Sequence, residues 1–195
     1  MGRHLHIAAN RARHPGLIEK LIGDQHLTKE AFRNTLWCYL NALRDMPREP
    51  TILLSLGIAY FSRATQRKTA DRNMQITQGL AYFMSHLAVM KETGRENMGL
   101  YNVARGFHFL GLLQHAAELY RQILHTVNDQ WAEAELPAEE EEVEEEDVWA
   151  TAPEERQAPV DCNVTWEAAY NLAHIYQSIG NTLLAQKALR AFCSP

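Results

Sequence analysis

Two stretches of this chain have similar sequences, and this repeat constrains the fold more than any other feature. Residues 100–112 read LYNVARGFHFLGL, and residues 169–181 read AYNLAHIYQSIGN. A tyrosine followed by asparagine, an aromatic residue, a glycine and a later alanine recur in one register, always 69 residues apart. The clearest pairs are Tyr101 with Tyr170, Gly111 with Gly180, and Ala116 with Ala185. A pattern kept in register at several positions indicates a structural unit that is used more than once.

Helical periodicity surrounds both copies. Apolar residues recur at spacings of three and four, which is the signature of a helix with one buried face. Thr51 and Thr165 are candidate N-caps, since a threonine oxygen can accept a bond from a free N–H of the first turn. No stretch has convincing strand character. We expect helices at residues 31–44, 51–64, 74–94, 97–110, 113–126, 165–179 and 182–193.

The expected fold is all-α, with about four antiparallel helix pairs stacked in a row. Glycine closes the tight turns at Gly111 and Gly180. Small residues such as Gly57 stand where helices must approach closely, and large ones such as Tyr60 alternate with them. Each pair leaves an apolar face uncovered, so it must bury that face on its neighbour.

The pairs resemble tetratricopeptide repeats, whose units are helix–turn–helix hairpins of about 34 residues. One whole unit begins at Tyr101-Asn102-Val103-Ala104 and continues through Gly111 and Ala116. A second begins at Tyr170-Asn171-Leu172-Ala173 and continues through Gly180 and Ala185. The resemblance implies a right-handed superhelix with a concave face that binds partners.

The order of the irregularities resembles one family in particular. An over-long unit precedes residue 97, an insertion separates the last two units, and the sequence IYQSIGNTLLAQKALRAFCSP stands at the end. This order is similar to the C-terminal part of the tetratricopeptide-repeat subunits, the third polypeptides, of RNA polymerase III general transcription factor C.

That resemblance implies a nuclear, non-enzymatic scaffold that helps to assemble the factor on internal promoters of tRNA genes. Its expected partners are the other subunits of transcription factor IIIC and components of initiation factor IIIB, with DNA contacted mainly through the complex. The alternative is a tetratricopeptide adaptor of another complex, such as a peptide-binding module like those of co-chaperones.

Three regions are expected from the change in composition. Repeats with one over-long unit occupy residues 1–128, an acidic insertion that we expect to be disordered occupies 129–164, and a last helix pair occupies 165–195.

Residues 133–155 hold 12 acidic residues and no lysine or arginine, so the rest of the chain has a net charge of +7 against −5 for the whole. The insertion is interpreted as a solvated spacer, a contact for a basic partner, or a shield over the chain's own basic surface. Deleting residues 133–155 distinguishes these, because unchanged partner and DNA binding would support the spacer, whereas tighter DNA binding would support the shield.

The candidate partner-binding groove lies along the first helices of the repeated units. Aromatic residues and arginine are typical of binding hot spots. The side chains expected to face the groove are Tyr101, Arg105, His108, Tyr170, His174 and Gln177.

Catalytic and metal chemistry find no support in the sequence. The nine histidines lack Asp, Glu or Cys at ligand spacing, and Cys38 is interpreted as a small core residue. No phosphate-binding loop or nucleophile motif is present, so no cofactor, metal or small-molecule substrate is expected. No apolar run approaches the roughly 18 residues of a membrane span. Asn102 and Asn171 occupy the place that a clamp asparagine has in the chaperone-binding tetratricopeptide domains they resemble, but Glu167 would repel a carboxylate. The favoured interpretation is therefore an asparagine that bonds between helices or faces solvent.

Overall fold

A computed structural model describes residues 15–67, 69, 71–126 and 164–193. Eight helices and no strand lie within these ranges. In chain order they are α1 (Pro15–Thr28), α2 (Phe32–Asp45), α3 (Pro50–Ala64), α4 (Arg72–Glu92), α5 (Glu96–Phe109), α6 (Leu113–His125), α7 (Thr165–Ser178) and α8 (Thr182–Cys193). The prediction of an all-α, tetratricopeptide-like fold is confirmed. The acidic stretch 133–155 lies outside the described residues.

The helices form four consecutive hairpins: α1 with α2, α3 with α4, α5 with α6, and α7 with α8. Each hairpin also packs on the next one along the chain, through α2 with α3, α4 with α5, and α6 with α7. The first helices α3 and α5 touch each other as well. A row of hairpins that contact only near neighbours is the architecture of a helical repeat array.

Sequence patterning missed α1 and misplaced two caps. Only Gly16, Ile22 and Gly23 are buried in α1, and two of these three have no side chain, so the helix carries almost no apolar stripe.

Pro50 is the first residue of α3, where its missing N–H costs nothing, so Thr51 lies inside the helix and does not cap it. Thr165 likewise begins α7, and no side chain caps that helix at Val164.

Glycines opposite aromatic rings set the distance between helices. A β-carbon placed on Gly57 of α3 would lie 2.8 Å from the ring of Phe83, and one on Gly79 of α4 would lie 2.4 Å from the ring of Phe61. These two rings also contact each other, with centroids 4.9 Å apart. Gly106 of α5 faces both rings, with its β-carbon position 3.1 Å from each. The pair of phenylalanines therefore fills space that three glycines on three helices leave open.

The turns after α1, α4, α5 and α7 share one backbone geometry. After α5, the Gly111 N–H donates to the His108 carbonyl at 3.0 Å and the Leu112 N–H donates to the Phe107 carbonyl at 2.9 Å. Gly111 has φ 76°, in the left-handed region that closes a Schellman motif. The turn after α1 has the same bonding pattern with Glu30 at φ 54°. A glutamate in this position is strained, because its β-carbon crowds the backbone.

We expect Gly79→Ala to destabilise the fold by roughly 1–2 kcal/mol, because the added methyl group overpacks the ring of Phe61. Helix propensity alone would make the same substitution stabilising by about 1 kcal/mol. The sign of the change in the free energy of unfolding therefore shows whether overpacking or helix propensity dominates. Urea unfolding followed by circular dichroism measures it. The exposed neighbour Gln78→Ala is the control and should stay within about 0.5 kcal/mol. A Gly79→Ala variant more stable than the parent would contradict the packing described.

We expect Glu30→Gly to stabilise the fold by about 0.5–1 kcal/mol, because glycine adopts positive φ without steric cost. The gain is smaller than the full strain, since glycine also has more freedom in the unfolded chain. Glu30→Ala, which removes the same charge and keeps the β-carbon, should remain close to the parent in the same unfolding experiment. Equal stabilisation by both variants would assign the effect to charge and not to strain.

Candidate protein-interaction groove

The first helices α3, α5 and α7 contribute side chains to one continuous surface, called the groove below. At its centre the exposed Arg105 guanidinium lies 5.8 Å from the centre of the Tyr101 ring, a cation–π contact on the same helix. The Tyr101 ring lies 6.0 Å from the ring of Tyr120 on α6. The arginine is thus held against an aromatic surface with its charge open to solvent.

Helix α7 meets α5 through two side chains. The Asn171 amide donates a hydrogen bond to the Tyr101 hydroxyl at 3.2 Å. The rings of His108 and His174 lie 5.9 Å apart, and His108 also meets the edge of Tyr120 at 6.3 Å. Burial lowers the pKa of His108, and the neighbouring His174 lowers it further. Four of the six residues predicted for the groove, Tyr101, Arg105, His108 and His174, therefore lie in one cluster.

The other two predicted residues lie on α7 beside this cluster. Tyr170 stacks on Trp166, with ring centres 5.8 Å apart and an angle of 11° between the planes. Each of the two residues is 54% exposed, so the pair forms a large aromatic surface available to a partner. Gln177 is exposed one turn beyond His174. Trp166 was not predicted, although its position four residues before Tyr170 places both on one helix face.

Two pockets open into the groove and share a wall. The first, here the apolar pocket, has a volume of about 150 Å³ and is lined by α3, α4 and α5 through Leu54, Ile58, Phe61, Ser62, Phe83, Asn102, Arg105, Gly106 and Phe109. The second, here the polar pocket, has a volume of about 190 Å³ and is lined by α5, α6 and α7 through Arg105, His108, Phe109, Tyr120 and Asn171. Arg105 and Phe109 line both pockets.

The Tyr120 hydroxyl is an unusual feature of the polar pocket. Tyr120 is fully buried, and its hydroxyl has no hydrogen-bond partner among the described residues. Burial and the nearby Tyr101 raise its pKa, while Arg105 and the side chain of Asn171 lower it. A buried hydroxyl without a partner costs about 1–3 kcal/mol, so this proton is available to an acceptor that reaches it.

A buried histidine links three helices behind the groove. His86 of α4 is 3% exposed, and its Nδ1 lies 2.9 Å from the carbonyl oxygen of Pro50, which opens α3. Its Nε2 lies 3.1 Å from the amide nitrogen of Asn102 on α5. A carbonyl only accepts, so Nδ1–H donates to Pro50 and Nε2 accepts from Asn102, which requires a neutral ring. Burial lowers the pKa of His86, and the bond to Pro50 partly opposes that effect.

The two asparagines of the suspected carboxylate clamp are engaged in bonds between helices. Asn102 donates to His86 and Asn171 donates to Tyr101. Of the two expected alternatives, bonding between helices or facing solvent, both asparagines adopt the first. Sequence patterning could not identify their partners, because His86 lies 16 residues before Asn102 and Tyr101 lies 70 residues before Asn171.

The residues predicted to shape the repeats lie in the packing layer or at the turns. Gly57 is buried, Tyr60 stacks on Tyr82 with ring centres 5.6 Å apart, and Ala116 and Ala185 are buried between helices. Gly180, like Gly111, has positive φ at a turn. Cys38 is buried, and burial together with the nearby Glu19 raises the pKa of its thiol to about 12.

Within residues 15–67, 69, 71–126 and 164–193, no three His, Cys, Asp or Glu side chains come together as a metal site would require. None of the helices in those ranges combines the length and apolar character of a membrane span. The groove itself presents aromatic faces, Arg105, and the histidines His108 and His174. Stacked hairpins with such a surface along their first helices define a helical-repeat protein of the tetratricopeptide type.

Comparison with known proteins confirms the resemblance inferred from the sequence. The chain is 30% identical to human general transcription factor 3C polypeptide 3 over 174 residues, which is 89% of this chain and 17% of that protein. It is 29% identical to the transcription factor tau 131 kDa subunit of Saccharomyces cerevisiae, over 80% of this chain and 12% of that protein. It is 31% identical to the transcription factor tau subunit sfc4 of Schizosaccharomyces pombe, over 78% of this chain and 14% of that protein.

Most of the chain is therefore related to a segment of these transcription-factor subunits. It spans about a sixth of the human relative's length and less of the two yeast relatives. No family model matches the chain.

We expect the free energy of unfolding to fall as the pH is lowered from 7 to 5, in part because His86 is buried neutral. Its folded pKa is below the ordinary value near 6.5, so the unfolded chain binds the proton first. The stabilisation is complete above the unfolded pKa and is lost as the pH falls towards the folded pKa. Denaturant titrations of His86→Gln and the parent measure this, and the variant should have the shallower pH dependence, by at most about 1.4 kcal/mol per pH unit.

The control for this measurement is His115→Gln, which alters an exposed histidine on α6. This variant keeps His86, so its stability should fall with decreasing pH more steeply than that of His86→Gln. Parallel curves for His86→Gln and the parent would show that His86 does not bind protons differently in the two states.

Proposed function

We propose that this chain is a non-enzymatic scaffold segment of the RNA polymerase III transcription factor IIIC complex. The relation to three transcription-factor subunits over 78–89% of the chain supports this proposal. The groove supports it independently, because a repeat array with exposed aromatic residues and arginine along its first helices is suited to binding a protein. The single observation that carries the proposal is the sequence relation, since the fold alone is compatible with many partners.

Within such a complex, the groove binds another subunit of transcription factor IIIC. The array thereby helps to assemble the factor on internal promoters of tRNA genes and to recruit components of initiation factor IIIB. The chain acts in the nucleus and meets DNA mainly through its partners. The described groove supports indirect contact, because Arg105 is the only lysine or arginine lining either pocket, whereas phosphate-driven binding uses several cations.

A peptide-binding adaptor like those of co-chaperones is the competing function. Such a module needs free asparagine amides beside basic residues to hold a terminal carboxylate. Here both amides are already donated within the fold, and Glu167 stands one turn before Asn171. Binding of peptides with acidic C-termini would favour the adaptor, and removal of that binding by amidating the C-terminus would establish it.

Affinity purification from nuclear extract of the organism that carries the chain tests the proposal. We expect the tagged full chain to recover transcription factor IIIC subunits, identified by mass spectrometry. Arg105→Glu should reduce their recovery by about tenfold, because reversing a central hot-spot charge commonly removes at least about 1.4 kcal/mol of binding. Arg33→Glu makes the same charge change on an exposed site of α2 and should leave recovery unchanged.

Recovery of chaperones without any subunit of the factor would contradict the scaffold function. Equal recovery with the parent and the Arg105→Glu variant would keep the scaffold but locate its contact outside the groove.

A further inference from the structure

We propose that the groove recognises a linear segment of a partner protein that carries a large apolar side chain and, a few residues away, a carboxylate side chain. The apolar side chain occupies the apolar pocket and the carboxylate occupies the polar pocket. This inference rests on the proposed function, which supplies a protein partner, and it specifies the chemistry by which that partner is bound.

The apolar pocket has the size and lining to hold one side chain. Its inner wall consists of the Phe61 and Phe83 rings, which are fixed because glycines leave room for them. Ile58 and Phe109 are 41% and 57% exposed, so apolar surface remains uncovered at its edge. Dry apolar cavities of about 150 Å³ take up a benzene ring, and the volume here is about 150 Å³. A leucine or phenylalanine side chain therefore fits and would cover these exposed groups.

The polar pocket presents donors and a positive charge. Arg105 carries that charge, and no aspartate or glutamate belongs to the described lining. The Tyr120 hydroxyl is buried there without an acceptor. A carboxylate only accepts hydrogen bonds, so it matches Arg105 directly, and it matches the Tyr120 hydroxyl once the side chains that cover this buried oxygen move aside. An ammonium group would instead meet the like charge of Arg105.

The shared wall determines how the two side chains must be arranged. Arg105 and Phe109 line both pockets, so the pockets are adjacent and the two side chains must be close along the partner segment. The Tyr101 ring holds Arg105 at this junction, and Asn171 in turn holds the Tyr101 hydroxyl. An arginine that is already positioned loses less entropy when a carboxylate binds.

A protein segment fits this surface better than a nucleic acid. Stacking surfaces for bases are present, but a nucleic-acid strand also needs a track of cations for successive phosphates. Among the described residues, the lining of the two pockets contains one arginine and no lysine. Nucleic acid is therefore retained as an outcome of the experiment and not as the proposed ligand.

Fluorescent nine-residue peptides tested by anisotropy against the full chain provide the experiment. Each peptide carries one phenylalanine and one glutamate, separated by zero to four residues in a glycine–serine background. We expect one spacing to bind best, and we expect Glu→Gln or Phe→Ser in that peptide to weaken binding by about tenfold each, equivalent to about 1.4 kcal/mol. Binding should weaken as salt increases, because one ion pair contributes.

Variants of the chain then assign each side chain to its pocket. In Arg105→Gln, the ratio of affinities for the Glu and Gln peptides should fall below about threefold, while the preference for phenylalanine remains. In Ile58→Ser, the preference for phenylalanine should fall and that for glutamate should remain. Arg33→Gln, the matched control on α2, should alter neither ratio.

Tyr120→Phe tests the buried hydroxyl separately. It removes one oxygen that has no partner, so the stability of the fold should be unchanged or higher. The preference for glutamate over glutamine should nevertheless fall by several-fold. A stable Tyr120→Phe variant with the parent's preference would exclude the hydroxyl from carboxylate binding.

Three results would overturn the inference: no peptide binding up to millimolar concentration, equal binding of Glu and Gln peptides, or tighter binding of a single-stranded oligonucleotide than of any peptide. None of these results affects recovery of the complex from nuclear extract. If the complex is recovered and the peptides fail, the scaffold function stands and the groove chemistry is wrong. If the peptides behave as expected and no subunit is recovered, the groove chemistry stands and the scaffold assignment is wrong.

Discussion

The close approach of helices around Phe61 and Phe83 is the constraint on which the rest of the array depends. Each ring occupies space that a β-carbon on a facing glycine would take, so α3, α4 and α5 come together around the pair. Interiors pack as densely as organic crystals, and a shift at this layer would be transmitted to both neighbouring hairpins. The same rings form the inner wall of the apolar pocket, so the packing layer and the recognition surface share their atoms.

Polar bonds between helices add specificity to this packing. His86 joins the start of α3 to α5, and Asn171 joins α7 to α5 through the Tyr101 hydroxyl. Each bond fixes which face of a helix meets its neighbour, because a slipped arrangement would leave a buried polar group unpaired. The asparagines that could have held a ligand's carboxylate instead fix the helices, and Arg105 is the exposed charged group beside them in the groove.

The relatives are transcription-factor subunits several times longer than this chain, so the chain corresponds to a small part of each of them. Its groove combines a rigid inner wall with an exposed arginine and a stacked tryptophan–tyrosine pair. Rigid aromatic anchors beside a charge give a protein interface both affinity and orientation.

The sequence by itself determined the all-α fold, the repeated hairpins and the glycine turns, because helical period and left-handed glycines are local properties. It also indicated the face of α5 and α7 that carries Arg105 and His174. It missed α1, whose buried positions are mostly glycine, and it missed Phe109, Trp166 and Tyr120 as neighbours of the groove. The two pockets, the partners of Asn102 and Asn171, and the unpaired Tyr120 hydroxyl were decided only by tertiary structure. They arise where helices distant in sequence meet, and the periodicity of a single helix does not say which neighbour it will face.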